Sequence, residues 1–303
     1  MFDVVSVGHF AIDSIFLPNR HVFVVLGGSA AYVSLAVRRL DATASVVSKV
    51  GGDFPAAYLW WLKQEGIDLS GVVSVEDTQT TRFELEYNSD LSNRVLRLKN
   101  KAPPITVEDF PDTLRAKAVH VAPIAGEIAY ETVEKMRNCA EVLSFDPQGL
   151  LRIFDENGNV TLGSLTDKRI LERVNIYKSS LDEIKALTEL SDLESAVKTV
   201  HNHGVETVII TLGMDGIVLS VEGTVHKIPA YKSEKFVDPT GAGDVFIGGF
   251  LAEYIRGEDS LWCACVGSAA ASLVVEGVGP TFMGDKTEIY RRARVLYGKE
   301  IKE

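Results

Sequence analysis

Seven residues, Asp238-Pro239-Thr240-Gly241-Ala242-Gly243-Asp244, set three nearly bare peptide units beside a carboxylate. An apolar helical run, Val245-Phe246-Ile247-Gly248-Gly249-Phe250-Leu251, starts immediately after them. The first turn of a helix carries amide N–H groups without partners, and its dipole favours an anion. With almost no side chain at Gly241, Ala242 and Gly243, a phosphate can sit directly on those amides. Asp244 would repel a phosphate from within such a cradle. Beside it, the same carboxylate can take the proton of an attacking hydroxyl. The competing interpretation is a glycine turn followed by a capping Asp.

Other polar residues fall where strand-like runs end. Asp13 follows the apolar run Asp3-Val4-Val5-Ser6-Val7-Gly8, and is expected just past that strand. A second strand, Val22-Phe23-Val24-Val25, runs into Gly27-Gly28-Ser29, where a glycine pair between strand and helix lets a ligand approach the backbone or a helix pack closely. A third, Val142-Leu143-Ser144-Phe145, ends at Asp146-Pro147-Gln148-Gly149-Leu150-Leu151-Arg152. Polar groups at the carboxyl ends of strands suit the crevice of an open α/β sheet. A dinucleotide fold would require Gly-x-Gly-x-x-Gly after the first strand, and only Gly8 is present, which argues against a nicotinamide enzyme.

Strand and helix patterns alternate over most of the chain, predicting an α/β fold with one doubly wound, mostly parallel sheet. Residues 70–98 read differently. Arg82-Phe83-Glu84-Leu85-Glu86-Tyr87 alternates polar and apolar, Asn88-Ser89-Asp90 is a turn cluster, and strand character returns at Arg94. This predicts an inserted β hairpin with one wet face, a lid or a dimer contact. The expected organisation is a single domain over 1–303, with about 10–30 and 70–100 supplying a small β lid.

The net charge of −11 argues against a nucleic-acid partner and against an anionic membrane surface. Three cysteines, Cys139, Cys263 and Cys265, have no metal-like spacing and read as reduced, packed thiols. No apolar run approaches the ~20 residues of a membrane helix. The first strand begins at once, so no signal peptide is visible and a cytoplasmic location is expected.

The 238–244 segment resembles the C-terminal signature of the ribokinase-like (PfkB) carbohydrate kinases, Asp-Thr-x-Gly-Ala-Gly-Asp. Gly27-Gly28 resembles the family's first signature, and Asp13, Thr211-Leu212-Gly213-Met214-Asp215-Gly216 and the Lys178–Glu183 segment fall in the family's order. The resemblance implies a ribokinase-like sandwich and ATP-dependent transfer of the γ-phosphoryl group to a hydroxyl. It implies Asp244 as catalytic base and an anion hole from Gly241, Ala242 and Gly243. Asp13, Gly27, Gly28 and Ser29 would bind the acceptor. Thr211, Gly213, Gly216, Ser268 and Ala271 would line the nucleotide, and Glu183 would order the water around a Mg2+ ion. The chain departs from the pattern at Tyr32 and Ser180, each where Asn is usual, and at Pro239 where Thr is usual. Together with Gln148 and Arg152, the Gly27–Tyr32 segment looks like the myo-inositol kinase branch. The expected acceptor is therefore a small polyol, most of all myo-inositol (a 3-kinase-like activity). A sugar, sugar acid or nucleoside is the alternative, and a non-catalytic ligand sensor a further one. A monomer or a lid-mediated homodimer is expected.

Overall fold

Strands that read as unbroken apolar runs need cover on both faces, and the computed structural model supplies it. Residues 1–300 are described, apart from 19, 20, 92 and 112 and the side chains of 299 and 300. Three residues of the expected lid, 19, 20 and 92, therefore lie outside the described ones. The chain opens with strands β1 (Phe2–Val7), β2 (Ala11–Phe16) and β3 (Val22–Gly27), then α1 (Ser29–Arg39), β4 (Ala44–Gly51), α2 (Ala56–Gln64) and β5 (Ile67–Val75). A hairpin, β6 (Thr81–Tyr87) and β7 (Arg94–Asn100), precedes β8 (Ala116–Val121), α3 (Tyr130–Arg137), β9 (Ala140–Phe145) and the single turn α4 (Gln148–Leu151). Next come β10 (Arg152–Phe154), β11 (Val160–Leu162), β12 (Ile176–Ser180), α5 (Leu181–Thr188), α6 (Leu193–His201) and β13 (Thr207–Thr211). The chain finishes with β14 (Ile217–Val221), β15 (Thr224–Ile228), α7 (Ala242–Tyr254), α8 (Ser260–Val274) and α9 (Lys286–Glu300).

A nine-stranded sheet has the order β15-β14-β13-β12-β9-β8-β1-β4-β5. It is parallel from β5 across to β13, and β14 runs against the rest, pairing antiparallel with both β13 and β15. Its faces follow the period of two along each strand. Val4, Val46, Ala118, Ile176 and Ile209 pack with residues of α1, α7, α8 and α9. Their neighbours Val5, Val47, Val119, Tyr177 and Val208 pack with residues of α3, α5 and α6. Among the described residues no helix is long and apolar enough to cross a membrane.

The lid is a separate four-stranded sheet in the order β3-β2-β6-β7. It packs its own small core, Ala11, Ile15, Leu17, Phe83, Leu85 and Tyr87, onto Ile124 and Ala125 of the loop after β8. Two expectations are corrected here. Residues 70–75 are not lid: they belong to β5, which pairs in parallel with β4 as the edge of the central sheet. Its Asp68, Ser70 and Ser74 give it the polar texture of an edge strand, and the lid's second half starts only at Thr81. Asp13 does not sit just past β1 either. Gly8-His9-Phe10 carry the chain out of the central sheet, and Asp13 lies within lid strand β2, opposite Val25 and Phe83.

Helix α3 starts only at Tyr130. Glu127 is turned inward as a buried carboxylate that accepts the amides of His9, Ile124 and Ala125. It thereby ties the start of the lid to the loop beneath it.

Candidate active site

Helix α7 begins where the chain is forced through the left-handed region. Gly241 has φ +77, and a Cβ there would overlap the ring of Tyr32. Only glycine meets both conditions. Upstream, Asp238 Oδ1 accepts the amide of Thr240 at 2.9 Å, which sharpens the turn. Downstream, Gly241 O accepts from Asp244 N (3.0 Å) and Val245 N (2.8 Å). The Ala242 amide is also used, donating to Pro239 O at 3.2 Å. This narrows the expected anion hole: the amides of Gly241 and Gly243, not that of Ala242, are left without an acceptor in the described structure. They stand at the N-terminus of a 13-residue helix, where an anion is favoured.

Asp244 is half-buried in that first turn. Burial raises its pKa above the usual carboxylate range, against the nearby Lys178 ammonium; Asp146 adds to the rise, while Ser29 and Arg152 oppose it. Gln148 Nε2 donates to Ser29 Oγ (2.8 Å) and reaches Asp244 Oδ1 at 3.5 Å. Arg152 donates to Gln148 Oε1 and to Ile124 O, each at 2.7 Å. One turn of helix, α4, thus delivers a relay of amide and guanidinium to the carboxylate.

Beneath the turn, Lys178 Nζ lies 2.6 Å from Asp146 Oδ2, and a Cβ on Gly243 would come within 2.8 Å of it. Burial works against this ammonium, but Asp146, Asp244 and Glu183 outweigh it and hold it protonated.

Above the turn the lid closes a cavity. Asp13, Ser29, Gln148, Arg152 and Asp244 line it with Gly28, Tyr32, Thr240 and Gly241, while Phe83, Leu85, Arg94 and Leu96 line it from the lid. Asp13 is 6% exposed and its Oδ1 has no partner. Burial pushes its pKa from 3.8 up to about 7, against Arg94 and Arg152, with Asp238 and Asp244 adding to the rise. A folded state that holds a proton which the unfolded state releases loses stability as pH rises. The contribution from Asp13 is full below pH 3.8 and is lost as pH climbs to about 7. Thermal melts of the ligand-free protein from pH 5 to pH 8 are expected to fall for the wild type and to fall less for Asp13→Asn, the difference over that range amounting to about 3 kcal/mol at most. Parallel curves for the two proteins would contradict this.

Of the expected acceptor residues, Gly27 is the one the structure explains otherwise. A Cβ on Gly27 would overlap the Asp13 carboxylate, so its missing side chain makes room for Asp13, not for a ligand. The expected nucleotide residues lie outside this cavity. Thr211 ends β13 and donates to Ser179 O at 3.3 Å. Gly213 opens a short turn with free space beside it, and Gly216 closes that turn against Ile228. Ser268 and Ala271 lie on α8, which packs beside β14 and β15, and the buried Ser268 hydroxyl has no partner. Glu183 Oε2 accepts the amide and hydroxyl of Ser180 (2.7 and 2.8 Å), a capping box for α5 that explains Ser180.

The sequence model of the pfkB family carbohydrate kinases matches residues 1–287. The chain belongs to this family. A cytidine kinase of Thermococcus kodakarensis is 30% identical over 284 residues, 92% of this chain and 98% of the relative. An inositol 3-kinase of Arabidopsis thaliana is 29% identical over 306 residues, 96% of this chain and 80% of the relative. Among solved structures, a pyrophosphate-dependent kinase in the ribokinase family, complexed with a pyrophosphate analog and myo-inositol, superimposes with a TM-score of 0.80 at 20% identity, covering 95% of this chain and 99% of the other. The nucleoside kinase of Methanocaldococcus jannaschii gives 0.76 at 25% identity, covering 97% and 99%.

This pfkB kinase is therefore a phosphotransferase with an alcohol acceptor. Sequence reasoning missed Arg94, Phe83, Leu85 and Leu96, which only the lid's pairing brings over the cavity, and it gave no role to Lys178 or Tyr32. The Lys178 signal was legible in principle: a lysine closing the apolar run Ile176-Tyr177 is buried, and a buried ammonium needs a carboxylate. Among the described residues no three His, Cys, Asp or Glu side chains gather as a metal cage. Mg2+ needs none when nucleotide phosphates and water supply most of its ligands. Glu183, half-buried with one oxygen engaged by Ser180, fits an outer, water-mediated contact.

Proposed function

We propose that this kinase transfers the γ-phosphoryl group of ATP to a hydroxyl of a small ring polyol, myo-inositol first of all, in a 3-kinase-like reaction. The observation that carries the reading is the partner-free Oδ1 of Asp13, buried beside Arg94, Arg152 and Gln148. Such an oxygen calls for a hydroxyl donor, since a buried acceptor left unpaired is costly. An ionised Asp13 accepts two hydroxyl protons, Gln148 donates and accepts, and Arg152 only donates. A ring with hydroxyls on every carbon matches that set. The inositol 3-kinase of Arabidopsis, similar over 96% of this chain, supports the same acceptor.

Asp244 aims the attacking hydroxyl and takes its proton as the bond to phosphorus forms. The amides of Gly241 and Gly243 hold the charge on the moving phosphoryl group, an effect of about 3 kcal/mol per donor in other enzymes. Glu183 would order the water around a Mg2+ ion bound with the nucleotide, which would neutralise the phosphate charge. The lid excludes water that would otherwise take the phosphoryl group. ATP as donor rests on the resemblance of the Thr211–Gly216 segment to the family's nucleotide-binding segment.

A nucleoside is the second reading. Phe83, Leu85 and Leu96 give the lid side of the cavity an apolar face on which a base can rest, and the Thermococcus relative is a cytidine kinase. A ribose diol would engage Asp13 equally well. An acceptor screen with ATP and with pyrophosphate, read as phosphorylated product, decides. The highest kcat/KM is expected for myo-inositol with ATP. A higher value for cytidine would replace the polyol reading, and a higher value with pyrophosphate would replace the donor.

A further inference from the structure

Lid strand β6 ends on Tyr87, and its cross-strand partner on β7 is Arg94. Tyr87 is 7% exposed, and its hydroxyl leaves the lid altogether. It lies 2.8 Å from Arg94 Nη1 and 2.8 Å from Oγ1 of Thr240, a residue 153 positions away on the turn before α7. Thr240 Oγ1 lies in turn 2.6 Å from Asp238 Oδ1.

The two ends fix the direction of every proton in this chain. A guanidinium only donates, so the Tyr87 oxygen accepts from Arg94 and its own proton goes to Thr240. A carboxylate only accepts, so Thr240 passes its proton to Asp238. The relay runs one way, from cation through two hydroxyls to anion. Charged ends and a low-dielectric setting strengthen each link.

Its placement gives it a function. Arg94 lines the acceptor cavity from the lid, and Thr240 lines it from the floor. Thr240 is also the residue before Gly241, whose amide is free and whose carbonyl anchors the first turn of α7. The relay therefore joins the cover of the acceptor site to the turn that presents the phosphate-binding amides. Lifting the lid breaks it at the Tyr87–Thr240 link.

We propose that Tyr87 is a positioning residue for phosphoryl transfer: through Thr240 it fixes the Gly241–Gly243 amides only while the lid encloses the acceptor. Chemistry is then linked to closure, because the anion hole reaches its working geometry when water is shut out. The inference rests on the 241–244 turn being the transfer site.

A double-mutant cycle tests it, run with ATP and whichever acceptor turns over best. Tyr87→Phe keeps the ring, and Thr240→Val keeps the volume. Each is expected to lower kcat about tenfold, the size of one hydrogen bond lost from the transition state, with KM for ATP unchanged. The double variant is expected to be no worse than the weaker single one, because both break the same link. Thr240→Ser, which keeps the hydroxyl, is expected to restore kcat. Full kcat in Tyr87→Phe, losses that multiply in the double variant, or a loss carried by KM for ATP would each overturn the proposal. Asp244→Asn, assayed alongside, separates the two layers. Full activity in that variant removes the transfer-site reading itself, whereas an inactive Asp244→Asn with an uncoupled cycle removes only the relay.

Discussion

Asp244→Asn is expected to lower kcat by about 10²–10⁴-fold, the range for loss of a positioned general base, with nucleotide affinity unchanged. The amide side chain keeps the shape and can still hydrogen-bond the acceptor, but it cannot take a proton. The separation of effects follows from the site's geometry. The phosphate would be held by backbone amides at Gly241 and Gly243, which the substitution leaves in place. Burial, the first cause of the raised pKa at Asp244, makes the carboxylate a stronger base than an exposed one, while Lys178 keeps it ionised enough to work. The wild-type kcat should therefore rise with pH along a limb lying above the usual carboxylate range, and the limb should vanish in the Asn variant. Steady-state kinetics over pH, with calorimetric titration of the nucleotide, read both. An unimpaired kcat removes Asp244 from the base role.

Lys178→Met is expected to be the most destabilising single change in the site, by about 3–5 kcal/mol. Lys178 and Asp146 are 5% and 0% exposed and meet at 2.6 Å. Removing the ammonium leaves Asp146 as a charge in a setting that cannot solvate it. The cost comes from the abandoned partner, so Asp146→Asn in the same chain should recover much of it. Urea unfolding of the two single variants and the double one measures this directly. Equal losses in Lys178→Met and in the double variant would mean that the pair contributes packing and not charge. Lys178 also abuts Gly243 and faces Asp244, so its loss should further raise the pKa of Asp244 and move the kcat limb to higher pH.

The architecture was legible because buried parallel strands write themselves as apolar runs. Thr207-Val208-Ile209-Ile210-Thr211 can be little else, and the helix after Asp244 announces itself by its glycines and apolar residues. Less visible was anything fixed by which strand lies beside which. Strand β5 carries Asp68, Ser70 and Ser74, so it resembles the lid hairpin that follows it; its pairing with β4 is a tertiary fact. In the sequence Asp13 reads as the close of β1, because the break at Gly8-His9-Phe10 contains no proline and looks like a strand end.

At the site, the motif 238–244 declared its chemistry by residue type alone. Which amides stay free did not follow from type, since Ala242 is taken by Pro239 through local backbone geometry. Gly27 looked like ligand space and turned out to be room for Asp13. Arg94 could not be found at all from sequence. It is one of several charged residues on an exposed-looking strand, and only the register Tyr87↔Arg94 turns it over the cavity.

The most direct test of the site is a crystal structure with ADP, aluminium fluoride, Mg2+ and the best acceptor. The account predicts the fluoride group at about 2.7–3.1 Å from the amides of Gly241 and Gly243, with an Asp244 oxygen at hydrogen-bond distance from the attacking hydroxyl on the opposite side. A fluoride group held away from those two amides, or an Asp244 carboxylate turned from the acceptor, would contradict it.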